Sequence, residues 1–200
     1  MLPFKESMVT PESTKGLWQL MAKEYSTTVI SKDDSALMAL VAGFLDTMGI
    51  LDKETFLEGY TTTIGSRIYC PFVPGIATER FTLWSQVIIC AHENLHALQA
   101  RREGLVVFSA KYLSSDDIRA VEYEAPAYRT TMELEAWRLG GHVPDVYPRF
   151  LAEKLKNYNC GSDAIDAAEE ALNIALDDIE AGNIITETSI KTIQFLTGTG

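Results

Sequence analysis

The chain has 200 residues, 46% of them hydrophobic, enough to bury one sizeable core, and it is expected to form one domain over residues 1–200. Its 28 acidic and 17 basic side chains leave a formal charge of −11. Such a surface repels phosphate backbones, so nucleic acid is not an expected partner. "MLPFKESMVT" has no apolar core of signal-peptide length, and the longest apolar run, Ala36 to Leu45, falls well short of the roughly 18 residues of a membrane span. The expected setting is the cytoplasm, with no membrane partner. Cys70, Cys90 and Cys160 form no CxxC pair and read as reduced, buried thiols.

Thr10 and Pro11 mark a helix start, and "GLWQLMAKEY" carries the apolar spacing that follows. Ser31 to Asp34 is expected to cap a second helix, Ser35 to Gly49, apolar nearly all round and therefore central to the core. "DKETFLEGY" reads as a short helical turn. "YTTTIGSRIYCPF" then changes character: its Thr, Ile and Tyr content predicts two short strands around Gly65-Ser66, ended by Pro71, or a single strand with a glycine bulge. From Thr82 to about Arg102 the period returns to that of a helix, with Leu83, Val87, Ile88, Ala91, Leu95 and Leu98 as its apolar stripe and Gly104 as its stop. "LVVFSAKYL" fits strand and helix equally. A helix over about 115–139 follows, kinked or split by Pro126. The remainder reads as helices over about 146–158, 162–181 and 187–196, then a "TGTG" tail. The 162–181 helix puts Ile165, Ala168, Leu172, Ala175 and Ile179 on one face and a solvated acidic surface elsewhere.

Within the 82–102 helix, "HENLH" places His92 and His96 four residues apart, with Glu93 beside the first. Positions i and i+4 lie one turn apart on the same face, so both imidazoles can reach one zinc ion. Glu93 is next to the ion but not on it, where it can take a proton from metal-activated water and pass it to a leaving amine. The alternative is two partly buried histidines in a core helix, which are costly to bury without partners. A third protein ligand is needed. Gln99 and Arg102 occupy the positions that a longer histidine motif would fill with glycine and a third histidine, and His142 follows Gly140-Gly141 in an expected loop. The richer source is "AVEYEAPAYRTTMELEAW", with Glu122, Glu124, Glu133 and Glu135. Glu124 lies 28 residues beyond His96, enough for a connection and an antiparallel return.

At this point the sequence resembles a family. "HENLHALQARREG", then "FSAKYL", then "YEAPAY", is similar to H-E-x-x-H metallopeptidases whose third ligand is a glutamate on a later helix, and more closely to small predicted bacterial and phage metallopeptidases of the zincin type. The resemblance covers roughly residues 61–139. It implies zinc as cofactor, His92, His96 and Glu124 as ligands, and Glu93 as general base. It also implies that "TIGSRIYCP" borders the cleft, where an extended peptide can pair by strand addition. Pro126 departs from the pattern, standing where relatives often carry a second acid, and this leaves Glu122 as rival to Glu124.

Gln99 is a candidate hydrogen-bond partner near the site, Tyr128 and His142 are candidate oxyanion donors, and Arg67 and Tyr69 are candidate substrate contacts. The expected fold is a mostly helical α+β domain of minimal zincin type. It has a small antiparallel sheet, a two-helix metal site within a core of about 60–140, and a helical C-terminal part of about 146–196. The expected function is a zinc-dependent metallopeptidase acting on a peptide or protein substrate. The alternatives are a structural or assembly protein, virion-associated if phage-encoded, that keeps the fold without hydrolysis, and a hydrolase of non-peptide amides.

Overall fold

The first helix, α1 (Pro11–Tyr25), starts with a reciprocal cap. Thr10 Oγ1 accepts from the Ser13 amide at 3.1 Å, and Ser13 Oγ accepts from the Thr10 amide at 2.8 Å. It buries Leu17, Trp18 and Met21 and ends at Ser26, which adopts the left-handed conformation (φ 54°) and turns the chain into a strand, β1 (Thr28–Ser31). The computed structural model describes residues 2–33, 35–47 and 53–199.

Helix α2 (Ala36–Thr47) is capped by Ser35, whose Oγ accepts from the Met38 amide at 3.2 Å, while Ser31 belongs to β1. The expected cap at Asp34 and helix end at Gly49 lie outside the described residues. α2 is not central to the core. Met38 and Ala42 pack on Tyr69, but Leu37 and Leu40 on the same helix are exposed. A short helix, α3 (Lys53–Gly59), packs on it.

Two strands follow, β2 (Thr62–Ile64) and β3 (Arg67–Cys70), joined at Gly65-Ser66 with Gly65 at φ 61°. The sheet is mixed, not purely antiparallel: its order is β1-β3-β2, with β3 antiparallel to β2 and parallel to β1. This makes β3 the central strand. Lys32 N–H and Thr28 N–H donate to the carbonyls of Cys70 and Ser66, so Ile68 and its even-numbered neighbours present their backbone groups to β1. Arg67 and Tyr69 therefore bond β2, and Thr63, opposite Ile68, directs its own N–H and C=O away from the sheet.

Helix α4 (Leu83–Glu103) begins at Thr82, whose hydroxyl accepts from the Ser85 amide, and stops at Gly104 (φ 84°). Of the expected stripe, Val87, Ala91, Leu95 and Leu98 are buried and Leu83 and Ile88 half-buried, and much of the rest of the helix is buried too. Gln86 is fully buried and satisfied by the loop before it: its Oε1 accepts from Gly75 N–H, and its Nε2 donates to the carbonyls of Ile76 and Phe81. "LVVFSAKYL" is helical, as α5 (Leu105–Ser114). The next helix begins as a π-helical stretch, Ile118–Glu124, and changes register into α6 (Ala125–Arg138). Pro126 sits in the first turn of α6, so it divides the rod into two registers without breaking it.

The C-terminal part contains α7 (Tyr147–Glu153), a 3-10 turn (Lys154–Tyr158), α8 (Ser162–Glu180) and α9 (Glu187–Thr197). The predicted inner face of α8 is buried at all five positions. α6 is shared between two clusters. Ala127, Leu134 and Trp137 join the core of α1, α4 and the sheet, whereas Ala125, Tyr128, Met132 and Ala136 pack on α7 and α8. The architecture is mostly helical α+β. All three cysteines are free and buried, and no helix among the described residues is long and apolar enough to cross a membrane.

Candidate metal centre

The one-turn spacing on α4 brings His92 Nε2 and His96 Nε2 to 3.1 Å of one another. The π-helical stretch ends at Glu124, whose Oε2 lies 3.8 Å from His92 Nε2 and whose Oε1 lies 3.6 Å from His96 Nε2. All three residues are buried. Four-coordinate zinc with bonds of about 2.0–2.1 Å would hold ligand atoms about 3.3 Å apart, and the three observed separations bracket that value.

Hydrogen bonds around the trio leave a gap of one kind. Tyr112 Oη donates to Glu124 Oε1 at 2.6 Å, whereas Glu124 Oε2, fully buried, has no hydrogen-bond partner among the described residues. A carboxylate oxygen buried without a donor is expensive, unless a cation faces it. Gln99 sets the tautomer of His96. Its Nε2 donates to the Tyr123 carbonyl at 3.0 Å, so its Oε1 is the atom 2.8 Å from His96 Nδ1 and accepts the proton there. In the neutral imidazole that leaves Nε2 as the lone-pair nitrogen facing the cluster, the arrangement in which an outer hydrogen bond orients a metal ligand. The donor set, two imidazoles and a carboxylate with Gln99 behind one of them, fits zinc.

Protonation in the metal-free chain follows from the same geometry. Burial, with the His96 charge next in weight, lowers His92 to about 3. Burial would also lower His96, but the Glu124 carboxylate outweighs it and lifts His96 to about 9. Glu124 ends near 2: burial opposes this, and the two histidines, His96 first, override it.

Glu93 is buried beside the trio, and burial raises its pKa. The Thr63 hydroxyl donates to its Oε2 at 2.7 Å, linking the general-base candidate to the edge strand β2. Lys32, at the end of β1, is 1% exposed; burial lowers its pKa to about 8, against the attraction of the Glu93 charge. The Tyr128 ring centroid lies 5.3 Å from that of His92, and its phenol, pushed up by burial and by the Glu124 and Glu93 charges, stays protonated.

No family model, curated protein or solved structure matches the chain.

Of the residues singled out in the sequence, the fold brings together His92, His96, Glu124, Glu93, Gln99 and Tyr128. It sends the others elsewhere. Glu122 is exposed and faces Lys111, two positions from Glu124 and so on the opposite side of the helix. Glu133 is bound by Arg129 and by the amides of Ile185 and Thr186, and Glu135 accepts from Trp84 Nε1. His142 is exposed and pairs with Glu180 at the end of α8, so it is no oxyanion donor to this cluster. Arg67 and Tyr69 do not border the cleft either. Ile68 and Cys70 point toward α4, so alternation turns Arg67 and Tyr69 to the other face, where Tyr69 meets α2. Among the described residues, the edge strand packed against α4 is β2, not β3. Thr63, Tyr112 and Lys32 were not identified from sequence. A hydroxyl in a strand, a tyrosine in an ambiguous apolar run and one lysine among many carry no signal until the fold sets them beside a carboxylate.

Proposed function

We propose that the chain is a zinc-dependent metallopeptidase that hydrolyses peptide bonds. One observation carries this reading: two imidazole Nε2 atoms and a donorless carboxylate oxygen converge in the interior, with a second glutamate next to His92 on α4. When bound, zinc supplies Lewis acidity, polarising a scissile carbonyl and making water acidic near neutral pH. His92, His96 and Glu124 would hold it. Glu93 takes the proton from the attacking water and returns it to the leaving amine, and the Thr63 hydroxyl fixes which carboxylate oxygen is free for that work. Tyr128 keeps its proton and is the donor available to a developing oxyanion. The outward N–H and C=O of Thr63 on β2 offer a pairing edge to an extended peptide.

Glu93→Gln tests the assignment, because it keeps the shape of the side chain and removes its basicity. Cleavage of a mixed peptide library, read by mass spectrometry, should fall by roughly two to four orders of magnitude, the usual contribution of a positioned acid or base. Zinc content and melting temperature should match the parent. Equal cleavage by both proteins would reject Glu93 as the base. A zinc-loaded parent that cleaves nothing across a broad library would favour a structural or assembly role for the same centre.

A further inference from the structure

Arg119 lies in the π-helical stretch that ends at Glu124, and its side chain is only 12% exposed. Its Nε donates to the carbonyl of Tyr112 at 2.9 Å, and its Nη1 donates to the carbonyl of Tyr158 at 2.8 Å. The same Nη1 lies 3.2 Å from Asp116 Oδ1, while Asp116 Oδ2 accepts from the Gly161 amide at 3.1 Å. One guanidinium therefore joins three separate pieces of chain: α5, the π-helical stretch, and the turn at 158–161 that leads into α8. A planar fork of donors can serve two carbonyls and a carboxylate at once, which a single ammonium cannot match.

Both carbonyls belong to tyrosines, and the Tyr112 bond bears on the metal centre. The phenol of Tyr112 makes the only hydrogen bond to the Glu124 side chain among the described residues. Arg119 holds that residue twice, at its backbone carbonyl and, 5.5 Å from the ring centroid, over its aromatic face. With carbonyl and ring both held, the phenol has little freedom except toward Glu124 Oε1. That bond leaves Oε2 as the donorless oxygen.

We infer that Arg119 is a positioning residue for the metal centre: acting through Tyr112, it fixes the orientation of Glu124 and ties it to the docking of residues 158–161. The inference rests on the reading of His92, His96 and Glu124 as metal ligands. A purely architectural arginine would give the same contacts to the backbone, so stability alone does not separate the two roles. Zinc affinity in a double-mutant cycle does.

The full chain, Tyr112→Phe, Arg119→Gln and the double variant are titrated with zinc against a chromophoric chelator, and the metal-free forms are melted. Tyr112→Phe should weaken zinc by about 10–100-fold, as outer-shell losses do. Arg119→Gln should weaken it by about tenfold in the parent, but by less than about threefold once the Tyr112 phenol is gone, because the route through Tyr112 has been removed. The visible bands of the cobalt(II) form should change alike in the two single variants. If Arg119→Gln does not fold, Arg119→Lys enters the same cycle, expected to rescue folding but not affinity. Equal losses in both backgrounds, or unchanged zinc affinity in a folded Arg119 variant, would overturn the inference while leaving the metal reading intact. A parent that binds no zinc would overturn both.

Discussion

Glu124 and Glu133 are both buried, on consecutive stretches of one helical rod, and they are held in opposite ways. Both oxygens of Glu133 are answered. Arg129 Nε donates to it at 3.0 Å, and the amides of Ile185 and Thr186, at the entrance to α9, donate at 3.1–3.3 Å. Around Glu124, Oε1 accepts from a phenol and lies 3.6 Å from His96 Nε2, whereas Oε2, 3.8 Å from His92 Nε2, has no hydrogen-bond partner among the described residues. A buried carboxylate whose acceptor sites are filled by protein is architecture; one left short of donors beside two imidazoles has the chemistry that the proposed zinc site needs. The contrast separates two glutamates that composition and helical spacing treat alike.

Substitutions on either side can break that contrast. The largest effect on folding is expected from Glu133→Gln, which strips the charge from a network that includes Arg129 and the α9 entrance. Breaking a buried pair costs about 3–5 kcal/mol, so a denaturant titration should show a clear loss, while the folded fraction should bind zinc as the parent does. Glu124→Gln should do the reverse. Zinc affinity should fall by more than about 100-fold, beyond the range for outer-shell groups, and the metal-free chain should stay folded, since the lost pairing with His96 is offset by removal of a buried charge with one donorless oxygen. If Glu124→Gln unfolds the metal-free protein and spares the metal, the distinction collapses.

Acidity sharpens the comparison further. In the metal-free chain His96 is lifted above its ordinary value to about 9, so below that pH the folded protein holds a proton that zinc must displace. Zinc affinity should rise about tenfold per pH unit through neutrality and level off near pH 9. The sign for stability is opposite. A raised histidine contributes fully below about 6.5, its ordinary value, and that contribution is lost as pH rises through about 9, so metal-free melting temperatures should decline over this window. A zinc affinity flat in pH would contradict the proton placement. The smallest effect expected is that of Thr63→Val. Its hydroxyl favours the ionised form of Glu93, so its loss should move the acidic limb of the pH–rate profile upward and leave zinc binding unchanged.

The α4 spacing could be read from sequence because a motif four residues long is local: His92, Glu93, His96 and Gln99 need only a helix. The resemblance favours Glu124 over Glu122, and in the fold Glu124 is buried and Glu122 exposed, since positions two apart in a helix face opposite ways. What could not be read was non-local. β1 is four residues long, follows a helix directly and pairs in parallel with a strand from beyond α3, so no hairpin signal announces it. Missing it made β3 look like an edge and turned Tyr69 toward the cleft. α2 reads as central because its residues are apolar nearly all round, but what covers a helix is decided by its neighbours, and these bury Met38 and Ala42 while leaving Leu37 and Leu40 exposed. "LVVFSAKYL" stayed ambiguous because Phe108 and Tyr112, one turn apart, meet Tyr123 only after the π-helical stretch returns beside them.

Strand β2 is three residues long, and the pairing that turns the Thr63 backbone outward also limits what that edge can hold. An unpaired strand edge recruits any extended segment, including the edge of another molecule, and long edges are how sheet proteins aggregate. Here the outward N–H and C=O of one residue can make about two hydrogen bonds, too few to drive self-association. An edge so short binds a passing chain weakly and lets it go, so retention would have to come from the centre beneath it, and turnover would not be slowed by a product that clings to the sheet.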